Sequence, residues 1–518
     1  MREVFNAAAW LVDRHVEKGR GKATAVMCGS EVLSYEGLLL ASYRAAHALE
    51  CLGVRPEDRV PLVMEDSPPF LAMFLGAMRI GAVPVPLSTM LTGPELGLIV
   101  GDSRARTMAI SGNYIDHLDG IGRCAPELAT AIVVGGAEFS QGRLAVKRWE
   151  DFDDESPIEA YRAWPDSPGF WLYTSGTTGS PKGAMHRHGS LRATAETYAR
   201  SVLGVADTDR FYSVAKLFFA FGLGNSLTFP LFAGATTVLD PARPTPRGAA
   251  DILAHHRPTL FFASPGFLAA LLDADVPPQA LSSVRCTVTA GEALPAELYR
   301  RFVERYHVPI LDGIGTTEIL HIFLSNRLGS ERPGTSGTPV EGYEAKLVDE
   351  HGEAITEPDQ PGYLYVKGDS IMTGYWCNME ATRAALHGEW IRTGDFYAVS
   401  PDGYWSFLGR DNDMIKVSGI WVSPAEVENI LISHPAVLEA AVVGSYTADG
   451  LETEVAFLVP RAGHTINVES IEAHCRAHMA SFKRPRIVIV VEELPKTATG
   501  KIQRFVLRDR LAARNGVT

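Results

Sequence analysis

The sequence lacks the features that mark several large classes of protein. Its six cysteines (Cys28, Cys51, Cys124, Cys286, Cys377 and Cys475) are scattered, and no two stand at C-x-x-C spacing. That pattern offers neither a zinc site nor a disulfide framework, and free thiols in a reducing compartment are the simple reading. Long runs of lysine and arginine are missing, and the net charge is −13. Neutralising the phosphates of DNA or RNA needs a basic face, so no nucleic-acid partner is expected. A single nucleotide stays open, because a few local donors can hold it. The most apolar long stretch, residues 69–91, is interrupted by Arg79, prolines and glycines, which excludes it as a bilayer span. The N-terminal MREVFNAAAWLVDRHVEKGRG lacks the basic, apolar and cleavage regions of a signal peptide. It predicts an amphipathic helix ending at glycine. No membrane association is expected, and the cytoplasm is the expected location. Walker A and G-x-S-x-G signatures are missing too, which removes simple ATPase and serine-hydrolase readings.

What is present is an ordinary globular composition: 518 residues, 46% hydrophobic and 21% charged, enough apolar material for a large core. At roughly 100–200 residues per domain there is room for about two to four structural units. From residue 22 to about 350, short apolar runs alternate with helical patterns. VPLVME at 60–65 predicts a strand, residues 70–80 a helix and AVPVPL another strand. ATTVLD, TLFFAS, CTVTAG and VPILDGIG follow, with helical stretches between them. Such alternation predicts α/β layers with substantially parallel sheets, whose sites tend to lie beyond the carboxyl ends of strands. After Gly362 the pattern turns to short strands with glycine-rich turns, as at Asp402-Gly403. A compact α+β tail follows the GRD at 409–411. It has a helix N-capped by Ser423 with Pro424 at the first helical position, strands in LEAAVVGSY and TEVAFLVP, a helix over 468–479 and a strand over 486–491. The expected division is residues 1–410 and residues 411–518.

The chemistry begins at YTSGTTGSPKG, residues 173–183. Glycines let a backbone approach a phosphate closely, amides and hydroxyls donate to it, and Lys182 adds positive charge. A polar surface loop is the ordinary reading of such a composition. The stretch resembles, however, the phosphate-loop signature of the acyl-adenylate-forming, AMP-binding superfamily. That superfamily includes acyl- and aryl-CoA ligases, peptide-synthetase adenylation domains and firefly luciferase. AGEALP (290–295), DGIGTTE (312–318), IRTGD (391–395), GRDNDMIKVSGIWVSPAEVE (409–428) and LPKTATGKIQR (494–504) stand in the family's order and approximate spacing. The resemblance therefore spans residues 173–504.

The resemblance implies a large N-terminal multi-sheet α/β domain that binds ATP and acid, joined by a hinge to a small mobile α+β C-terminal domain. By the same resemblance Thr174, Ser175, Gly176, Thr177, Thr178, Gly179 and Lys182 cradle the β- and γ-phosphates. Gly291, Glu292 and Ala293, with Gly313 and Ile314, form a slot around adenine, and Asp312, Gly315 and Thr316 complete the ATP-binding set. Thr317 bonds the α-phosphate, and Glu318 holds Mg²⁺, a hard cation suited to carboxylate and phosphate oxygens. Asp395 accepts from the ribose hydroxyls, and Arg410 donates nearby. Taken singly, each residue is more commonly a cap, a turn or a surface ion pair; the ordered set reverses that. Lys501 takes the catalytic role, bridging carboxylate and α-phosphate, while Lys496 faces solvent. Asp411 is the hinge about which the tail turns, bringing the loop 416–421 to the site so that Ser418, Gly419 and Trp421 line a pantetheine tunnel.

KLFFAFGLGNSLTFPLFAGATTVL (216–239) is crowded with aromatic and small residues, which suits a flat apolar substrate. It lacks the aspartate with which amino-acid-activating relatives bind an ammonium group. With TTEILHIFLSN (316–326) it resembles the benzoate-CoA ligase branch, which implies that Phe219, Ala220, Phe221, Gly315, His321 and Ile322 surround the aryl ring. Phe219 would also gate the carboxylate. Benzoate ligases often carry tyrosine where Phe221 stands, so the ring substituent stays open. Core packing competes as a reading of Phe218, Phe229 and His321. The expected reaction is ATP-dependent aryl-AMP formation followed by transfer to coenzyme A, with Lys483, Arg484 and Arg486 as a basic surface for its nucleotide. An aryl acid ligase that loads the phosphopantetheine arm of an acyl carrier protein is the alternative, and a non-catalytic nucleotide-binding relative is a second. A monomer or homodimer is expected.

Overall fold

The computed structural model describes residues 3–136, 144–175, 181–411, 413–417, 420–446, 452–496 and 502–515. Its scaffold is a set of strands that the hydrophobic pattern anticipates. VPLVME gives the strand Arg59–Val63, followed by the helix Pro68–Arg79 and the strand Val83–Pro86. These belong to a five-stranded sheet with Thr107–Ser111, Thr130–Val134 and Ala145–Arg148, parallel throughout. A nine-stranded sheet lies beside it. There Ile310–Gly315, Cys286–Thr289, Leu260–Ala263, Arg210–Ser213, Thr236–Leu239 and Thr24–Cys28 run parallel in that spatial order. Short β-branched and aromatic runs buried on both faces suit this arrangement. Thr316 directly follows the carboxyl end of one of these strands, and Ala290 and Val214 directly follow two others.

Beyond residue 340 the pairing becomes antiparallel, in a six-stranded sheet that includes Tyr343–Val348, Gly362–Gly368, Trp390–Val399 and Trp405–Arg410. A separate hairpin, Pro168–Ser175 with Pro181–Arg187, carries the short strand Gly374–Tyr375 on its edge.

The tail has its own core. Ile415, Val422, Val427, Leu431, Val442, Leu458 and Ile471 pack on one face of its sheet, and Ala441, Val443, Val455, Phe457 and Leu507 on the other. That sheet consists of Val437–Tyr446, Glu452–Pro460 and Ile487–Val490. Ser423 caps the helix Pro424–Ile432 by accepting from the Glu426 amide at 3.1 Å.

The N-terminal segment differs from the single helix its pattern predicts. Asn6 caps Ala7–Leu11, but the helical turns continue only in pieces, and Gly19 departs from helical geometry at φ +79°. Arg79, which interrupts the most apolar stretch, is buried against Asp13 and Tyr43. No described helix is long and apolar enough to cross a membrane.

Candidate functional site

Two segments leave the carboxyl edge of the nine-stranded sheet and face one another. The first follows Arg210–Ser213. Phe219 is extended at the start of the short helix Ala220–Leu223, and the chain between folds tightly, with the Phe219 amide donating to the Lys216 carbonyl at 3.0 Å. Gly222 is required here: a Cβ would fall within 2.5 Å of the Ala215 carbonyl oxygen and closer still to that of Lys216. Asp66, just beyond the strand Arg59–Val63, anchors this segment from the neighbouring sheet. Its Oδ1 accepts from the Leu217 amide at 3.1 Å, and its Oδ2 lies 4.0 Å from Lys216 Nζ. Burial raises the Asp66 carboxyl to about 6 against the attraction of Lys216. Neither Asp66 nor Lys216 stands out in the sequence as a site residue, because an acid before Ser-Pro-Pro reads as a helix start.

Phe219, Ala220 and Phe221 are half-buried, as are Ile314, Gly315 and Thr316 across from them. His321 and Ile322 are buried. The His321 ring lies 5.6 Å from Phe221, 4.5 Å from Phe229 and 5.2 Å from Tyr198, with Nε2 3.2 Å from Asn225 Oδ1. Burial pushes its imidazole down to about 3, so the ring is uncharged at neutral pH. Phe218 and Phe229 are core residues, as the competing reading had it.

The second segment, residues 316–320, follows Ile310–Gly315 and carries Thr317 and Glu318. Three consecutive carbonyls are held from two sides, by the strand Pro181–Arg187 and by the segment 370–372. His186 Nε2 donates to Thr317 O at 2.8 Å, the Met372 amide to Glu318 O at 2.8 Å, and Ser370 Oγ to Ile319 O at 2.6 Å. Leu320 takes a left-handed φ of +76°. The Glu318 carboxylate accepts from Tyr375 Oη at 2.7 Å, and Lys182 Nζ lies 5.5 Å from the centre of the same phenol ring. Lys182, Tyr375 and Glu318 are thereby brought together. Thr174 pairs with Lys182 across the hairpin, and Ser175 with Pro181. Gly176, Thr177, Thr178 and Gly179, which connect the two strands, lie outside the described residues. Tyr375 and His186 belong to no motif that sequence reading singles out.

Gly291 has φ +93°, and open space surrounds its Cβ position. At Gly313 and Gly315 the neighbouring strand leaves no room for a side chain. A Cβ on Gly313 would meet Ile322 Cγ2 and the Leu324 carbonyl oxygen at 2.7 Å, and one on Gly315 would meet the His321 carbonyl at 2.6 Å. Pairing with the strand Ile322–Ser325 accounts for both. Asp312 is buried, its Oδ1 has no hydrogen-bond partner among the described residues, and burial raises its carboxyl well above the usual range. Glu292 lies near Gly266, 3.6 Å from the position of a Cβ there.

Asp395 is buried, and its Oδ1 lies 3.1 Å from Arg410 Nε across the pair Trp390–Val399 and Trp405–Arg410. This carboxylate holds the Arg410 guanidinium above its ordinary range. Asp411 is tied to the body: its amide donates to Gly394 O at 3.0 Å, and its Oδ2 accepts from Arg392 at 3.0 Å.

Beyond that point Trp421 packs 5.5 Å from Phe396, ring centre to ring centre. Arg504 bonds Glu428 at 2.8 Å and feels the charge of Glu292 from the body. Lys496 pairs with Glu439 at 2.6 Å on the surface. Lys501, Ser418 and Gly419 lie outside the described residues.

These features define a class: a two-part α/β protein in which a lysine-bearing hairpin faces a carboxylate at the edge of a parallel sheet. The chain belongs to the AMP-binding enzyme family, whose model matches residues 12–376, with the AMP-binding enzyme C-terminal domain matching 426–501. It is 44% identical over 513 residues to a benzoate–CoA ligase of Thauera aromatica, covering 98% of this chain and 96% of that one. A solved benzoate CoA ligase of Burkholderia xenovorans LB400 superposes with a TM-score of 0.88 at 41% identity, over 98% of this chain and 100% of the other. The anthranilate CoA ligase AuaEII, solved in complex with anthranoyl-AMP, gives 0.92 at 38% identity, over 99% of each chain.

Proposed function

We propose that this chain is an AMP-forming acid–thiol ligase that activates a benzoate-type carboxylate as aryl-AMP and passes the acyl group to coenzyme A. The observation that carries the reading is full-length identity to benzoate–CoA ligases, together with an aromatic segment, Phe219–Phe221, set opposite the Thr317–Glu318 loop. A carboxylate is a poor electrophile, so its oxygen attacks the α-phosphorus of ATP and pyrophosphate leaves. Two anions must meet, and preorganised cations and donors lower that barrier. Lys182 and the hairpin hydroxyls hold the outer phosphates. Thr317 bonds the α-phosphate, and Lys501 bridges it to the carboxylate. Asp395, with Arg410 beside it, accepts from the ribose hydroxyls. The slot between residues 291–293 and 312–316 takes adenine, where Asp312 keeps an oxygen available. Phe219, Ala220, Phe221, Gly315, His321 and Ile322 enclose the ring; neutral His321 adds no charge to that apolar surface.

Glu318 fits Mg²⁺: it offers a hard carboxylate oxygen beside the hairpin, with Tyr375 shared between it and Lys182. Bound there with phosphate oxygens and water, the ion would neutralise developing phosphate charge.

In the second half-reaction the thiolate of coenzyme A attacks the acyl carbon and AMP leaves. Domain 411–518 turns about Asp411, withdrawing Lys501 and bringing Ser418, Gly419 and Trp421 to the thiol.

The test is benzoate-dependent ATP–pyrophosphate exchange, followed by the mass of the thioester formed with coenzyme A. Both are expected, and absence of exchange across a panel of substituted benzoates would remove the reading. Lys501→Ala is expected to abolish exchange while leaving thiolysis of supplied benzoyl-AMP; normal exchange would take this lysine out of the mechanism.

A further inference from the structure

His186 has no assigned part in this chemistry, yet it occupies the junction between the phosphate hairpin and the loop that carries Thr317 and Glu318. It lies on the strand Pro181–Arg187, on the same face as Lys182, because side chains two and four apart share a face of a strand. The side chain is 1% exposed, and its ring stacks on Phe170 at 5.2 Å with a 14° interplanar angle. Its Nε2 lies 2.8 Å from the Thr317 carbonyl oxygen. A carbonyl only accepts, so Nε2 carries the proton, which fixes the tautomer. The Glu318 and Ile319 carbonyls are held by Met372 and Ser370, and Ser370 Oγ is in turn 2.7 Å from Tyr343 Oη. Of the three ties on consecutive carbonyls, the one from His186 alone originates on the hairpin. It therefore links the strand of Lys182 directly to the backbone that carries Thr317 and Glu318.

We propose that His186 is a positioning residue for acid activation: its Nε2–H holds the Thr317 carbonyl so that Thr317 and Glu318 stay aimed at the phosphates gripped by the hairpin. This rests on the ligase reading above. The residue touches no reacting atom and acts through the loop it holds. Burial keeps the imidazole near 4, so it stays uncharged from pH 6 to 9 and would contribute no limb to a pH–rate profile.

The experiment compares two amides. In His186→Gln the side-chain nitrogen reaches the place of Nε2, whereas in His186→Asn it stops at the place of Nδ1. Benzoate-dependent exchange, thiolysis of supplied benzoyl-AMP by coenzyme A, and thermal stability are measured for both. His186→Asn is expected to lower kcat for exchange by about 100-fold, the scale of a 1 Å misplacement, with KM for benzoate and the pH profile unchanged. His186→Gln is expected to recover at least about 10-fold of that loss, since a donor is restored at the right reach. His186→Phe, which keeps the stack and deletes the donor, should behave like His186→Asn and stands in for it if the buried amide prevents folding.

Equal activity of the Asn and Gln variants, a rise in benzoate KM at unchanged kcat, or a lost pH limb would each overturn the proposal. A wild type without exchange would overturn the ligase reading and this inference with it. A wild type that exchanges beside indistinguishable variants would overturn the inference alone.

Discussion

The two segments at the sheet edge are tied down by opposite chemistry. Residues 216–222, the proposed aryl side, are held by a charge: Asp66, taken out of water, faces Lys216 and the Leu217 amide. Residues 316–320, the proposed phosphate side, are held by uncharged donors, namely an imidazole, an amide and a hydroxyl. Neutral hydrogen bonds keep their geometry across the working pH range and pay little desolvation. A buried carboxylate does neither, and its hold on a neighbouring cation depends on ionisation. The ties on residues 316–320 are thus independent of ionisation, while residues 216–222 carry a titratable anchor.

The largest effect should come from breaking the backbone fold of the aryl segment itself. In Gly222→Ala the new methyl would collide with the carbonyls of Ala215 and Lys216, and backbone cannot yield as a flexible side chain does. Phe219 and Phe221 would be displaced together, and kcat/KM for benzoate in pyrophosphate exchange should fall by at least about 100-fold. ATP should still protect the variant against thermal unfolding, because the hairpin and the 316–320 loop are untouched. Loss of that protection would mean that the two segments are not independent, and the contrast between them would collapse.

A smaller effect is expected on the phosphate side. Tyr375→Phe removes the hydroxyl that donates to Glu318 at 2.7 Å and leaves the ring beneath Lys182. A hydrogen bond to a charged group contributes roughly 1.5–3 kcal/mol; at the lower end, fitting for a half-buried carboxylate that water can reach, exchange should slow by about 10-fold. The concentration of Mg²⁺ for half-maximal rate should rise, and KM for benzoate should stay constant. If benzoate KM moves instead, Tyr375 serves the aryl side, and the division of labour drawn here is wrong.

Most of the scaffold was legible in the sequence because strand and helix periodicity is a local property. The run at 60–65, the helix after Ser67 and the tail with its Ser423 cap all appear within a few residues of expectation. Motif residues were legible by resemblance, and the structure brings Lys182 and Glu318 to the same phenol. Their supports were not. His186 was recoverable in principle, since alternation puts it on Lys182's face, but the partner is a backbone carbonyl 131 residues away. Asp66 depends on Lys216, 150 positions on, in a segment that follows a strand of another sheet. Gly313 and Gly315, read by resemblance as ligand glycines, are also constrained by the strand Ile322–Ser325, which the motif itself does not show. Third-dimensional neighbours, which no local pattern encodes, decide each of these cases.

The most delicate test of the contrast is Asp66→Asn, which keeps the shape and the acceptor for Leu217 but cannot ionise. The wild-type carboxyl has been raised from about 4 to about 6, chiefly by burial, with Asp240 and Glu65 adding to the rise and Lys216 and the Leu217 amide opposing it. A carboxyl raised on folding binds its proton more tightly in the native state. Its contribution to stability is therefore greatest in acid and is lost as pH rises through 6. Between pH 8 and pH 5 the wild type should gain about 1.4 kcal/mol of stability relative to Asp66→Asn, since pH 5 lies about one pK unit below the native value of about 6 and each unit is worth about 1.4 kcal/mol, as read by chemical denaturation. Activity should run the other way. Below pH 6 the protonated Asp66 loses its attraction for Lys216, the aryl segment loosens, and kcat/KM for benzoate falls on a limb near that value. Asp66→Asn should lose this limb and show a somewhat higher benzoate KM at pH 8, with KM for ATP unchanged. The His186 variants should leave the limb in place. A limb that survives in Asp66→Asn would assign it to another group and leave the aryl segment as indifferent to pH as its neighbour.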